Sequence, residues 1–350
     1  MKFLNFAVLS AVTISTPALA DPVDLKPLID ARLRYEGVDQ NGIRQTADAV
    51  TMRIRAGVQA TSGPFSALVE AEGLLAIGAN YNSGVNGRSQ FPLVADPQNI
   101  ELNRAQIQYR GIRGVVATLG RQRIVLDDAR FVGNLGWRQN EQTFDAIRIE
   151  WSPVKNLKVD GTYLWSIRTV YGIDGFGARP QAIGGDTFLG NVSYQTPVGR
   201  LTAFGYLIDE DETLFHGNSS QTYGARFAGS RPLAPKVKLN YVASLATQSD
   251  YGSNPNAYRA GYYFGEAGLD VAKLRLAGGY EVLGADDGRT LTSFQTPLAL
   301  IHLFQGWADK FITTPPNGIK DAYGRVGYAV GDAGPLANIM LTAVYHDFTA

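Results

Sequence analysis

The sequence predicts an all-β protein, a transmembrane antiparallel up-and-down β-barrel. Three observations predict it: strands of alternating polarity, connections of alternating length, and an N-terminal export signal. In residues 29–36 every odd position is apolar or aromatic and every even position is charged. Because successive strand side chains point to opposite faces, this strand has one apolar face and one ionic face. In an outer-membrane barrel such faces meet the lipid and the lumen, respectively.

Residues 1–20 have the pattern of a secretory signal peptide. Lys2 is followed by an apolar stretch over residues 3–15, and Ala18-Leu19-Ala20 is a small-residue cleavage site. No later segment approaches the run of about 20 apolar residues that a spanning helix needs. We therefore expect residues 21–350 to form the barrel domain, and we expect the protein to lie in the bacterial outer membrane.

Further runs of alternating polarity follow the first one along the whole chain. They are about the length of a tilted membrane strand. The predicted strands cover residues 29–36, 50–56, 65–72, 104–110, 115–122, 146–151, 157–167, 188–194, 201–207, 223–228, 237–245, 258–269, 274–283, 322–330 and 339–345. The alternation is weakest at 188–194, 201–207 and 223–228.

The connections between these strands alternate between short and long. The short ones are rich in glycine and proline, as tight hairpins require. They cover residues 61–64, 111–114, 152–156, 196–199, 231–235, 270–273 and 331–335, and the longest of the others cover 76–99, 124–143, 169–186 and 284–320. Short turns at one end and long loops at the other are typical of outer-membrane barrels.

About fifteen strands are visible in the sequence, whereas bacterial single-chain barrels have an even number. The chain also ends at residues 346–350, within or just past an ascending strand. We therefore expect an intact barrel of about sixteen strands, from which this sequence lacks the C-terminal strand.

Composition excludes several classes of site. The 32 basic residues balance 32 acidic ones, so net charge indicates no nucleic-acid partner, and the absence of cysteine excludes disulfides and thiolate chemistry. His216, His302 and His346 are scattered without metal-ligand spacing. The acidic run 209–212 reads as a solvated loop. We expect no cofactor, no metal and no catalytic residue, and a barrel enzyme is only a remote alternative.

Parity assigns charged side chains to the inward face of the predicted strands. Basic residues outnumber acids there, and rings of Arg or Lys favour anions in a pore. Interior Arg–Glu pairs that merely stiffen the barrel are the alternative for any single arginine. The basic set is Arg32, Arg34, Arg53, Arg55, Arg104, Arg110, Arg148, Lys158, Arg168, Arg226, Lys238, Arg275 and Arg325, and the acidic set is Asp30, Glu36, Glu70, Glu72, Glu150, Asp160, Glu281 and Asp321.

Two long-loop regions carry a family resemblance. The first runs Leu119-Gly120-Arg121-Gln122-Arg123-Ile124, then Arg130-Phe131-Val132-Gly133-Asn134, then residues 136–145 with Gly136-Trp137-Arg138. The second runs from Gly279-Tyr280-Glu281 to Gly306-Trp307-Ala308-Asp309-Lys310-Phe311. Over essentially the mature chain, the sequence resembles the alginate export family of outer-membrane barrels.

The resemblance implies a porin with an electropositive lumen that exports an alginate-like polyuronate. It adds Arg121, Arg123 and Arg138 to the candidate pore-lining residues, together with the loops of Trp137 and Trp307. A carboxylate on every sugar suits an arginine-lined path. The alternatives are a general anion-preferring diffusion porin and an oligosaccharide uptake porin. Implied partners are outer-membrane lipid and lipopolysaccharide, the anionic polysaccharide or oligosaccharide, and periplasmic export components.

Overall fold

The computed structural model describes residues 22–331 and 339–350. The predicted signal peptide at 1–20 and most of the predicted connection at 331–335 lie outside the described residues. The described part contains fifteen strands. They are β1 (Asp24–Val38), β2 (Ala47–Ser62), β3 (Phe65–Asn80), β4 (Asn99–Tyr109), β5 (Val115–Gln122), β6 (Thr143–Trp151), β7 (Leu157–Arg168), β8 (Ala182–Thr196), β9 (Gly199–Glu210), β10 (Ser220–Ala234), β11 (Val237–Asp250), β12 (Arg259–Val271), β13 (Leu274–Leu283), β14 (Ile319–Ala329) and β15 (Met340–Thr349).

Every strand pairs antiparallel with its neighbours in the sequence, which confirms the predicted up-and-down topology. No ladder joins β15 to β1 within the described ranges. Helical structure there is limited to three 3₁₀ turns, Gly172–Asp174, His216–Asn218 and Ile301–Leu303. None of the described helices is long and apolar enough to cross a membrane.

The connections alternate strictly in length from β1 to β14. Residues 39–46, 81–98, 123–142, 169–181, 211–219, 251–258 and 284–318 connect strands at one end. Residues 63–64, 110–114, 152–156, 197–198, 235–236 and 272–273 do so at the other. We call these the long-loop end and the short-turn end.

Side-chain exposure follows the predicted alternation on β1. Leu33 and Tyr35 are 70% and 66% exposed, whereas Arg34 between them is only 8% exposed. The register pairs Leu33 with Met52 and Arg34 with Thr51, so like faces continue onto β2. The apolar face is therefore the outer surface of the sheet, and the ionic face is the inner one.

Several strands extend further towards the long-loop end than the alternation predicts. On β9 the inward positions Phe204, Tyr206 and Ile208 are as apolar as the outward ones. These side chains pack against folded-in loops in a buried cluster that includes Ile124 and Phe294. A strand with two apolar faces loses its period-two signal, which explains the weak prediction there.

Candidate pore constriction

Residues 123–142, which we call the inward loop, fold back into the barrel instead of projecting from it. Towards one end of the loop, Asp128 forms an ion pair with Arg226 on β10 at 2.9 Å, and Arg130 forms one with Glu281 on β13 at 2.6 Å. At its other end, Gln139 donates a 2.9 Å hydrogen bond to Thr51 on β2. The sheet therefore curls so that one loop touches opposite walls.

Residues 284–318, which we call the second inward loop, pack against the first. Val132 and Leu298 form a parallel bridge, and the Gly133 amide donates to the Leu298 carbonyl at 2.8 Å. The rings of Trp137 and His302 stack with centroids 3.7 Å apart and planes 7° from parallel. Together the two loops narrow the lumen and form the candidate constriction.

The apolar half of the constriction lies against β9–β13. The Phe131 ring stands 5.1 Å from those of Phe204 and Tyr262 and 5.9 Å from that of Phe294. Within this packing, Arg130 is buried and ion-paired to Glu281. Burial lowers the pKa of Arg130, but the Glu281 charge outweighs it, so the pKa lies above its ordinary value. Arg130 is therefore a fixed cation that anchors the loop.

The polar half of the constriction lies against β1–β4, and ion pairs dominate it. Arg34 binds Glu36 and Asp96, each at 2.6 Å. Arg104 donates two hydrogen bonds, of 2.9 and 2.8 Å, to the Glu70 carboxylate. Most of the predicted inward arginines are thus neutralised by a carboxylate. The further pairs on this side are Arg53 with Asp30, Arg55 with Glu72 and Glu141, Arg123 with Glu141, and Arg138 with Glu36 and Asp309.

Glu141 is the acid at the centre of this half. It is buried and receives hydrogen bonds from Arg123, Asn103 and Asn134. Burial raises its pKa, but the Arg123 hydrogen bond and the charges of Arg55 and Arg123 outweigh that effect. The pKa of Glu141 consequently lies below the ordinary carboxyl value, and the group is ionised at neutral pH.

Arg32 is an exception among the arginines of this half. Its guanidinium donates to the carbonyls of Trp137 at 2.8 Å, Gly136 at 3.1 Å and Arg138 at 3.3 Å, and it pairs with no acid among the described residues. The register sets it directly opposite Arg53. Like charges opposite each other destabilise a strand pair. Because Arg32 faces another cation and binds no described acid, it forms an uncompensated positive site beside the inward loop.

Of the remaining candidate pore-lining residues, Arg110, Arg148, Arg275 and Arg325 lie nearer the short-turn end. Arg148 binds Asp160 at 3.0 Å, and Arg325 binds Glu266 at 3.0 Å. Arg275, Glu281 and Arg325 line an inner cavity of about 640 Å³ below the second inward loop. Arg110 and Arg275 have no hydrogen-bonded or ion-paired side-chain partner among residues 22–331 and 339–350.

Arg121, a candidate pore-lining residue, lies on the outward face of β5 and not on the inward one. It pairs across the sheet with Asp145 and shares its strand face with Leu119, which is exposed on the outer surface. Two hydrogen bonds of 2.8 and 3.0 Å join Arg121 to Asp145. The motif made Arg121 a candidate, but strand alternation turns its side chain outward.

Sequence reasoning did not assign a role to Arg130, Phe131 or Gln139. All three stand in the quoted motif, and all three are buried or partly buried contacts between the inward loop and the wall. The signal that could have indicated their role is the high density of Arg, Gln, Asn and Phe in residues 123–142. A loop that only projects into solvent does not need such side chains.

The alginate export family model matches residues 29–278 of the chain. The chain belongs to the alginate export family. No curated protein sequence matches this family member.

Solved structures similar to this alginate export family barrel include OccAB3 of Acinetobacter baumannii, at 14% identity and a TM-score of 0.63 over 93% of each chain. OpdK of Pseudomonas aeruginosa matches at 10% identity and a TM-score of 0.61, covering 93% of this chain and 94% of that one. At these identities the likeness shows the fold alone. Family and fold are those of outer-membrane porins rather than enzymes, so this family member is an outer-membrane channel.

Proposed function

We propose that the channel exports an anionic polysaccharide or oligosaccharide of the alginate-like polyuronate class across the outer membrane. The family match supports the substrate class. The observation that carries the proposal is Arg32, a cation at the constriction whose side chain donates, within the described part of the chain, to backbone carbonyls alone. Because a carbonyl carries only a partial charge, a passing carboxylate can still gain a charge-assisted hydrogen bond there.

The arginines that are paired within the constriction support the same proposal in a second way. Arg123 binds Glu141, yet a third of its side chain remains exposed. Guanidinium groups that are held in place by an acid present their remaining donors at a fixed position. A polyuronate then meets a row of oriented donors, with Arg32 as the uncompensated one.

A second candidate function is the passage of small anionic solutes by diffusion or uptake. The packing of two loops inside the lumen favours it, because this packing leaves less room for a polymer. OpdK of Pseudomonas aeruginosa, which is similar in fold, has been solved with vanillate.

Planar-bilayer recordings test the proposal. Under a salt gradient, we expect the reversal potential to indicate anion preference. We expect oligomannuronates to block the current and neutral maltodextrins of matched length not to block it. Cation preference would contradict both candidate functions. Anion preference without block by oligomannuronates would favour the passage of small solutes over the export of a polymer.

A further inference from the structure

The two ends of the barrel carry opposite charge. The described short connections contain five basic residues and no acid, namely Arg110, Arg113, Lys155, Lys236 and Lys273. The long loops contain 11 Asp and Glu residues against 8 Lys and Arg. The whole chain is neutral, so this separation of charge arises from placement and not from composition.

The basic character of the short-turn end continues inside the barrel. Four ascending strands place a basic residue at their second position, where alternation turns it inward: Lys158 on β7, Arg200 on β9, Lys238 on β11 and Arg275 on β13. Lys26 on β1 lies at the same end of the barrel, and Arg110 directly follows the last residue of β4. We call these six residues the basal ring.

The inward position of the ring members agrees with their neighbours. Thr202, two residues after Arg200, is buried and contacts Asp127 of the inward loop at 3.4 Å. Arg275 and Asp270 line the inner cavity, and Lys238 binds Asp270 at 3.6 Å.

Most of the charge of the basal ring is uncompensated. Lys158 pairs with Glu150 and Lys238 with Asp270. Lys26, Arg110, Arg200 and Arg275 are exposed and have no hydrogen-bonded or ion-paired side-chain partner in the described part of the chain. Arginines at the constriction, by contrast, are mostly held by carboxylates. A cation that no protein acid neutralises remains available to an anion from solution.

We infer that the basal ring captures the anionic chain as it arrives from the periplasmic side, so that entry at the short-turn end is faster than entry at the long-loop end. This inference rests on the proposed function and adds a direction to it. A charged cleft raises the local concentration and association rate of oppositely charged solutes. The excess of acids in the long loops opposes entry of anions from the other end.

The test measures block by oligomannuronate hexamers added to one side of a planar bilayer at a time. The orientation of the channel in the bilayer is determined with the variant Leu214→Cys. Leu214 lies in a long loop and is 63% exposed. The sequence contains no natural cysteine, so an impermeant thiol reagent modifies this position alone. We expect an association rate about tenfold higher from the short-turn side, which falls as salt rises.

The variant that tests the ring combines Lys26→Gln, Arg110→Gln, Arg200→Gln and Arg275→Gln. These changes leave no described acid without its ion pair, so we expect the barrel to fold. The matched control is Arg231→Gln, an exposed arginine at the same end whose strand face, opposite Leu239, points outward. We expect the side preference to disappear in the fourfold variant and to persist in the control.

Equal block from both sides of the wild-type channel would overturn the inference while leaving the proposed function intact. A side preference that survives in the fourfold variant, or that Arg231→Gln removes equally well, would also overturn it. Cation preference of the wild-type channel would instead contradict the proposed function itself.

Discussion

At the scale of single residues, Arg32 and Arg55 illustrate two roles of arginine on one barrel wall. Arg55 contacts Glu72 and Glu141 in a buried cluster. Among the described residues, the side chain of Arg32 donates only to carbonyl oxygens of the inward loop. Removal of Arg55 leaves the buried Glu72 without its cation, whereas removal of Arg32 leaves only neutral carbonyl groups without a donor. The two substitutions should therefore have separable effects.

We predict that Arg32→Gln lowers the anion-to-cation permeability ratio severalfold with little loss of stability. The physical reason is that its charge is compensated by no described acid. Reversal potential under a salt gradient measures the ratio. Arg121→Gln is the matched control, because it removes an arginine from the outward face. Equal effects of the two substitutions would contradict the role of Arg32.

We predict that Arg55→Gln destabilises the folded barrel by about 3–5 kcal/mol, because breaking a buried pair leaves an uncompensated charge on Glu72, whereas Glu141 keeps Arg123. Denaturant unfolding in lipid vesicles measures the change. Arg325→Gln, which removes a half-exposed partner of Glu266, should cost about 1 kcal/mol or less. A smaller loss for Arg55→Gln than for Arg325→Gln would refute the prediction.

The sequence predicts which face of a strand a side chain occupies, but it does not predict which residue that side chain binds. Alternation alone indicated that Arg34, Glu70 and Glu72 point inward, and their burial agrees with this. It could not identify their partners, because Asp96 and Glu141 belong to loops of irregular backbone. The outward position of Arg121 follows from the alternation along β5, which the family motif does not take into account.

At the scale of elements, the two ends of the inward loop are held by different forces. Aromatic packing around Phe131 fixes one end of the inward loop. Ion pairs around Glu141 fix the other. Apolar packing is insensitive to pH, whereas carboxylate pairs are not. Acid should therefore loosen the polar end of this loop first.

We predict that residues 134–142 stay ordered from neutral pH down to about pH 4 and lose protection below it. Although burial raises the pKa of Glu141, Arg123 and Arg55 hold it below the ordinary value of about 4.3. A lowered carboxyl pKa stabilises the folded state above the unfolded pKa, and this stabilisation is lost as pH falls through the folded pKa. Hydrogen exchange measured by mass spectrometry reports it.

The control for this prediction is Glu141→Gln, which carries no titratable proton. We expect weaker protection of the loop at neutral pH in this variant and a flatter response to acid. Loss of protection that begins between pH 7 and 5 in the wild-type protein would contradict the assignment to Glu141.

At the scale of the whole molecule, the topology was predictable and the contents of the lumen were not. Periodicity and connection length indicated fifteen strands in sequential order. Both signals are local, because they depend on one strand and its next turn. The infolding of residues 123–142 depends on contacts with strands more than a hundred residues away, such as Arg130 with Glu281, and no local pattern records such contacts.

The charge separation between the two ends predicts an asymmetric ionic current. In symmetric salt, we expect single-channel current to rectify, because anions meet a positive mouth at one end and a negative one at the other. Rectification should weaken at 1 M salt, where the Debye length is about 3 Å. Linear current–voltage curves at low salt would contradict a functional charge asymmetry.

The contacts of the inward loop also set an order of events during membrane insertion. Arg130 lies on the chain 151 residues before Glu281, its partner on β13. Contacts between such distant residues form late, since they require closure of a long intervening segment. A partly assembled sheet that lacks β13 leaves Arg130 without this acid. The apolar end of the loop can therefore dock fully only once β13 is in place, whereas the end at Gln139 and Glu141 finds its partners on β2 and β4 earlier.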